Sequence, residues 1–328
     1  MSSMDSTLRP MSTGQVLDRT FHLYRNNFLL FAGIAALPPA VILLAQTGFA
    51  LLTVISAPRL DFVGAQAIFV LGIIAMVVAY LVAVSFATGA TVYAVSRVHL
   101  GHTVKISESY KVIRPVLWTI VWIVIRVGVR FTGAIALAMV VGIAPTFLLP
   151  VLGPYLTPAS SPIVLWGGGA LVVVAVIVCV IWALRLYCSY QLAVPACVLE
   201  KLGATACLKR SRFLSKGKGV QRILLVLFLS AILTYVLSLA LSIPVFILAA
   251  MSVLEKTPAY AIPAAIWQYL ASFVAGTLAG PIVTIALALL YYDERVRKEA
   301  FDLQLMMEAM GQAGPTPPAA ATASGAIG

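Results

Sequence analysis

Charge is what this chain has least of. Only 10% of its 328 residues are Asp, Glu, Lys or Arg, against about a quarter in an ordinary soluble domain, which excludes a water-facing globular fold. Acids are scarcer than bases, 11 to 22, and no Asp or Glu falls inside a long apolar run. The facing carboxylates of general acid–base catalysis are therefore missing from any membrane-buried segment. The three histidines, His22, His99 and His102, flank apolar runs without the HExxH or other spacing of a metal site. No GxSxG elbow and no GKS or GKT phosphate loop occurs. The four cysteines, Cys179, Cys188, Cys197 and Cys207, form no CxxC pair. They read as reduced packing thiols rather than as a disulfide or metal ligands. No catalytic residue, cofactor or metal is expected.

What is abundant is apolar surface, at 62% of residues and a mean hydropathy of +1.03. A bilayer-crossing helix takes about 20 apolar residues. Six runs exceed that length: 28–56, 63–96, 116–149, 163–194, 223–254 and 262–292. They are continuous rather than alternating, which excludes a β-barrel. The first begins at Phe28 and is too long for a signal-peptide core, so no cleavable signal is expected. The net charge of +11 is sorted by side. Counting alternate loops, 17 of the 22 Lys and Arg fall on the side of the termini, and only Arg59 and Lys256 on the other. That asymmetry predicts cytoplasmic termini in a bacterial inner membrane and attraction to anionic lipid. It argues against nucleic acid as a partner.

The runs come in pairs, each preceded by a short basic segment. These segments centre on Thr20, Ser109 and Ser211, spaced 89 and then 102 residues apart, and such periodicity means copies of one unit. The expected architecture is an all-α polytopic membrane protein with six transmembrane helices. It is built as three repeats of an amphipathic helix plus a transmembrane hairpin over 1–310, with units of about 11–100, 101–202 and 203–292. In the first segment, Ser12-x-x-Gln15 suits a capping box. Leu17, Phe21, Tyr24 and Phe28 then form a helical stripe expected to lie in the headgroup region. The stripe recurs as Ile106, Tyr110, Ile113 and Leu117, and in degenerate form as Ala204, Cys207, Leu208 and Leu214. Gly101 and Gly203 share the 102-residue offset. Headgroup contacts are expected from Arg19, Arg25, Lys111, Arg114, Lys209, Arg210 and Arg212.

Beyond the last run, 293–310 is expected as a further amphipathic surface helix. Its apolar positions are Val296, Ala300, Leu303, Met307 and Met310, and its i,i+4 pairs are Glu294–Lys298, Arg295–Glu299 and Lys298–Asp302. The Gly/Ala/Pro-rich tail 311–328 is expected to be disordered. Helix breakers stand at Pro38-Pro39, Pro145, Pro195, Pro244 and Gly280-Pro281. They mark kinks for packing or a cavity. Gly276-x-x-x-Gly280 fits a close helix contact.

Three arginines lie within the apolar runs. Arg126 and Arg130 share a helical face, and Arg185 stands 15 residues before Glu200, about 22 Å along a helix. Arg126 is 12 residues past Arg114, about 18 Å. Arg126 and Arg185 are thus expected at similar depth in neighbouring antiparallel helices. An arginine at mid-bilayer costs about 2.5–3.5 kcal/mol and needs a polar partner. With no acid available, the partners are carbonyls, Tyr187, Tyr190, Gln191, water or an external anion such as a lipid phosphate. Satisfaction by the protein itself and an anion or lipid site lined by Arg126, Arg130 and Arg185 both stay open.

The segments STGQVLDRTFHLYRNNF (12–28), VPACVLEKLGATACLKRSRFLSKGKG (194–219) and LLYYDERVRKEAFDLQLM (289–306) resemble a bacterial family. It is the glycerophosphoryl diester phosphodiesterase membrane domain, and the likeness runs to about Met310. The resemblance implies a six-helix membrane module that, in the enzymes, is joined to a separate soluble catalytic barrel. No loop here approaches the ~250 residues of such a barrel, so the resemblance transfers no hydrolase activity and no catalytic residue. The expectation is a non-enzymatic inner-membrane protein binding anionic lipid, a membrane-protein partner or a second copy of itself. The alternative is a transporter or exporter component for an amphiphilic anion, and an intramembrane enzyme ranks third.

Overall fold

The computed structural model describes residues 11–56, 62–152, 161–299 and Met307. The model is 92% helical, and the described residues include no strand. In order they form α1 (Thr13–Asn26), α2 (Phe28–Ala35), α3 (Leu37–Ser56), α4 (Phe62–His99), α5 (Ile106–Ile113), α6 (Leu117–Leu152), α7 (Ser161–Tyr190), α8 (Ala193–Glu200), α9 (Ala204–Ser215), α10 (Lys218–Leu254) and α11 (Ala261–Glu299). Among the described residues, five spans are long and apolar enough to cross a membrane, and α2 with α3 makes a sixth, bent by 42°. Outward-facing Leu71, Val140, Leu171 and Phe228 are all more than half exposed, the inverse of a soluble surface. The chain is an all-α, multi-pass membrane protein.

The breaks follow from proline chemistry. Pro38 and Pro39 stand in the first turn of α3, where a missing N–H does no harm, but they cannot continue α2. Pro195 would need the carbonyl of Gln191 as its partner, and the fourth span turns there, ending α7 at Tyr190 and restarting as α8. Pro145, Pro244 and Pro281 lie within unbroken α6, α10 and α11. Membrane helices tolerate them because neighbouring groups take up the freed carbonyls.

α11 is the central helix. In its most apolar window 56% of residues are buried, against 6% to 17% for the other spans. It packs on α1, α2, α3, α4, α8, α9 and α10. Its packed faces are rich in small residues, Ala271, Ala275, Ala279, Ala286 and Ala288, and small residues let membrane helices approach closely. The Gly276–Gly280 stripe makes the close contact its spacing suggests. A Cβ on Gly276 would stand 2.8 Å from Pro39 Cγ, and one on Gly280 would stand 3.8 Å from Ala35 Cβ. α6 and α7 pack chiefly on each other and join the rest through α4, α8, α9 and α10.

The amphipathic helices are anchored differently from the expectation. The Ser12 capping box forms as predicted, with Gln15 N donating to Ser12 Oγ at 3.3 Å and Ser12 N to Gln15 Oε1 at 2.8 Å. The buried face of α1, however, is Val16, Thr20 and Leu23, while Phe21 and Phe28 of the predicted stripe stay exposed. α1 is docked on α11 rather than merely floating on headgroups. Thr20, Ser109 and Ser211, the repeat centres, are each fully buried. Their hydroxyls donate to Val16 O (2.7 Å), Lys105 O (3.3 Å) and Ser189 O (2.8 Å). Gly101 and Gly203 do not share a role. Gly101 takes φ +82°, whereas Gly203 is an extended N-cap, and the left-handed turn there is made by Lys201 at φ 51°. Arg9, Arg59, the Lys298–Asp302 pair, 300–306, 308–310 and the tail 311–328 lie outside the described residues.

Two alanine substitutions four residues apart should act with opposite sign. Gly276→Ala forces α3 and α11 apart and should cost about 1–3 kcal/mol. Gly280→Ala meets only ordinary contact and should stabilise by up to about 1 kcal/mol through helix propensity. Thermal unfolding in detergent, followed by intrinsic fluorescence, reads both.

Candidate functional site

Over 293–299, the described part of the surface helix expected at 293–310, the chain continues the last span. α11 runs 39 residues without a break to Glu299, about 58 Å at 1.5 Å per residue. That is far more than the ~30 Å hydrocarbon core. Its last turns are packed against the ends of the other units rather than lying on a surface. Asp293 and Glu294 are 2% and 3% exposed, and a buried carboxylate survives only with partners around it.

The partners arrive from all parts of the chain. Arg222 of α10 donates to Asp293 and, at 2.8 Å, to Glu294. Met11 N donates to Asp293 Oδ1 at 2.6 Å. Arg222 and Arg297 both donate to Met11 O, at 2.9 and 2.7 Å, and Arg297 also donates to Asp293 at 2.8 Å. A second knot forms around Glu200, which accepts from the Tyr291 hydroxyl and from Arg210 Nε at 3.1 Å, with Arg295 at 3.7 Å. Arg210 reaches on to Glu299 at 2.6 Å. Burial works against the Arg210 guanidinium, but its hydrogen bonds to Glu299 and Glu200 hold it charged, above its usual range. The predicted Glu294–Lys298 and Arg295–Glu299 pairs form, at 3.7 and 3.4 Å.

This network aims α9. Lys298 Nζ donates to the carbonyls of Leu214, Phe213 (3.3 Å) and Lys216 (3.0 Å), satisfying the end of the helix as C-terminal lysines do. Arg210 is drawn inward to the acids. Lys209, Arg212 and Lys216 are left exposed, and with Ser189, Phe213, Ser215 and Val220 they line a cleft of about 480 Å³. No acid lines it. Ser215 is held by its bonds to Ser211 O (2.7 Å) and Ser189 O (3.3 Å). Beside it, buried Tyr190 carries two guanidinium groups, Arg130 at 5.1 Å and Arg212 at 5.4 Å from the ring centroid.

The three intramembrane arginines do not converge as expected. Arg130 and Arg185 are exposed, so they line no enclosed pocket. Half-buried Arg126 stacks on Trp122 at 5.0 Å, a contact within its own helix. The Arg130–Tyr190 and Phe131–Tyr187 contacts, the latter at 4.9 Å, fix the antiparallel register of α6 and α7. In that register Arg126 faces the region of Ala193 and Arg185 that of Ala134, about 12 Å apart along the axis. The equal-depth expectation took Arg114 and Glu200 to lie level, and this register does not hold them so. Gln191 is half-buried at the turn between α7 and α8. Of the expected headgroup residues, Arg25, Lys111, Arg114, Lys209 and Arg212 are exposed and Arg19 is half-buried, while Arg210 is taken up by Glu200 and Glu299. Among the described residues, no three His, Cys, Asp or Glu gather as metal ligands would.

Sequence reasoning missed the buried acids. The available signal was the density of both signs in Asp293-Glu294-Arg295-Val296-Arg297-Lys298-Glu299, which has more charge than an amphipathic surface helix needs. In comparisons with known proteins, no family model, no curated protein and no solved structure matches the chain.

Asp293→Ala leaves Arg222 without its nearest counter-ion and should destabilise the protein by about 3–5 kcal/mol. Arg126→Ala removes one cation–π contact and should cost only about 0.5–1 kcal/mol. Parallel thermal unfolding of the two variants in one detergent tests the contrast.

Proposed function

We propose that this protein is a non-enzymatic lipid-binding membrane protein whose basic cleft takes the phosphate of an anionic phospholipid. The observation that carries the reading is the cleft lined by Lys209, Arg212 and Lys216 and by no acid. A guanidinium fork and two ammonium groups suit a phosphate well. Each such residue near an anionic surface adds about 1 kcal/mol of attraction. On this reading the basic end faces the cytoplasm of a bacterial inner membrane, as the loop charges favour. Arg25, Lys111 and Arg114 add to the same field. On this reading the described helices bind lipid and carry no hydrolytic role of their own.

The bent first span favours a second reading, a transporter component for an amphiphilic anion, since broken helices are common where transporters bind. Flux of a fluorescent lyso-phosphatidylglycerol in proteoliposomes supports it, and absence of flux retires it.

Native mass spectra from phosphatidylglycerol-containing detergent test the first reading. Wild type and an Arg126→Ala/Arg185→Ala variant should both retain the lipid. A Lys209→Ala/Arg212→Ala/Lys216→Ala variant should lose it. Equal retention in the triple variant would overturn the proposal.

A further inference from the structure

The bend in the first span leaves a space inside the membrane region. Between α3, α4 and α11 lies a cavity of about 340 Å³, within the ~300–1,000 Å³ range of small-molecule sites. Pro38, Pro39 and Gly276 form part of its lining, and no charged residue does. Several hydroxyls reach it, but most already donate to their own helices. Thr88 donates to Val84 O at 2.7 Å, Thr91 to Ala87 O at 2.8 Å and Ser272 to Gln268 O at 2.8 Å.

Gln46 is different. Its Oε1 is buried and accepts no hydrogen bond from the described residues, at a depth where water is scarce and unsatisfied polar atoms are costly. Gln46 also lines a second space, a groove of about 620 Å³ between α3 and α4. That groove is walled by Leu44, Phe49, Phe69, Ile73 and Met76. A hydroxyl-lined cavity and an apolar groove thus share one wall, with an unpaired acceptor on it.

We infer that the two spaces form a lateral binding site for a neutral acylglycerol. Its glycerol hydroxyl donates to Gln46 Oε1 in the cavity and its acyl chain lies in the groove. Among the described lining residues no cation stands ready for a carboxylate or phosphate, which favours a neutral headgroup over an anionic one. A plain hydrocarbon filling the groove would leave Oε1 unpaired. This site is separate from the basic cleft, which lies on α7, α9 and α10.

The test uses the full-length protein in detergent and a monoacylglycerol carrying a diazirine on its acyl chain. Photolabelling should fall on peptides of α3 and α4. Unlabelled monoacylglycerol should compete at least about tenfold better than its O-methylated analogue, which has no donor. Phosphatidylglycerol should not compete. Gln46→Leu, similar in size and free of the orphan acceptor, should keep or raise the thermal midpoint while lowering labelling about tenfold. Equal competition by the methylated analogue in wild type, which needs no variant to fold, would overturn the site. So would undiminished labelling of a folded Gln46→Leu protein. Lipid retention at the basic cleft is read separately in the same preparations, so one proposal can fail while the other stands.

Discussion

Two carboxylates with almost no access to solvent, Asp293 and Glu294, set the terms for the basic end of the molecule. A buried charge is tolerated only where hydrogen-bonding cations converge on it, and removing one partner of such a group is far more damaging than never having built it. Here the partners are Arg222 from the start of α10, Arg297 one turn along α11 and the backbone of Met11 before α1. These groups lie up to 286 residues apart in sequence. Satisfying the acids therefore fixes the entry of the chain, the entry of the fifth span and the exit of the sixth at one place. Hydrophobic burial cannot do this, because lipid tails are as apolar as the core and leave the helices free to slide.

Once that point is fixed, the basic residues divide into two groups. Arg210, Arg222, Arg295, Arg297 and Lys298 turn toward acids or helix-end carbonyls. Lys209, Arg212 and Lys216, next to them in sequence, are left facing out. One helical turn of α9 thus carries both a structural arginine, Arg210, and two cations of the cleft, Lys209 and Arg212. The helix geometry that sends residues 100° apart around the axis makes the division. The Tyr190 ring receives both Arg130 and Arg212, which ties the cleft side of α9 to α6 and α7.

Hydropathy was enough to read the class and the spans, because each is decided by the contrast between lipid and water, and the break at Pro38-Pro39 was legible from proline's missing N–H. Capping at Ser12 is equally local, and it formed as its spacing dictates. The buried face of α1 was not legible. Leu17, Phe21, Tyr24 and Phe28 make the more apolar stripe, yet Val16, Thr20 and Leu23 pack inward. Against lipid, an outward phenylalanine loses nothing, so apolar periodicity no longer marks the inside. The same blindness hid Asp293 and Glu294, which looked like ordinary surface charge. It also misplaced Arg185 relative to Arg126, since counting from Arg114 and Glu200 assumed that those two lie level.

The length of α11 also bears on the order in which the protein is made. Its acids are among the last described residues to leave the ribosome, while Met11 and Arg222 are already in place and waiting. The chain emerges N-terminus first, so the tie between Met11 and α11 can close only after the sixth span has been made. Until then Arg222 has neither Asp293 nor Glu294 to receive it. The cluster therefore works as a latch, closing only once the residues on both sides of the intervening spans are present.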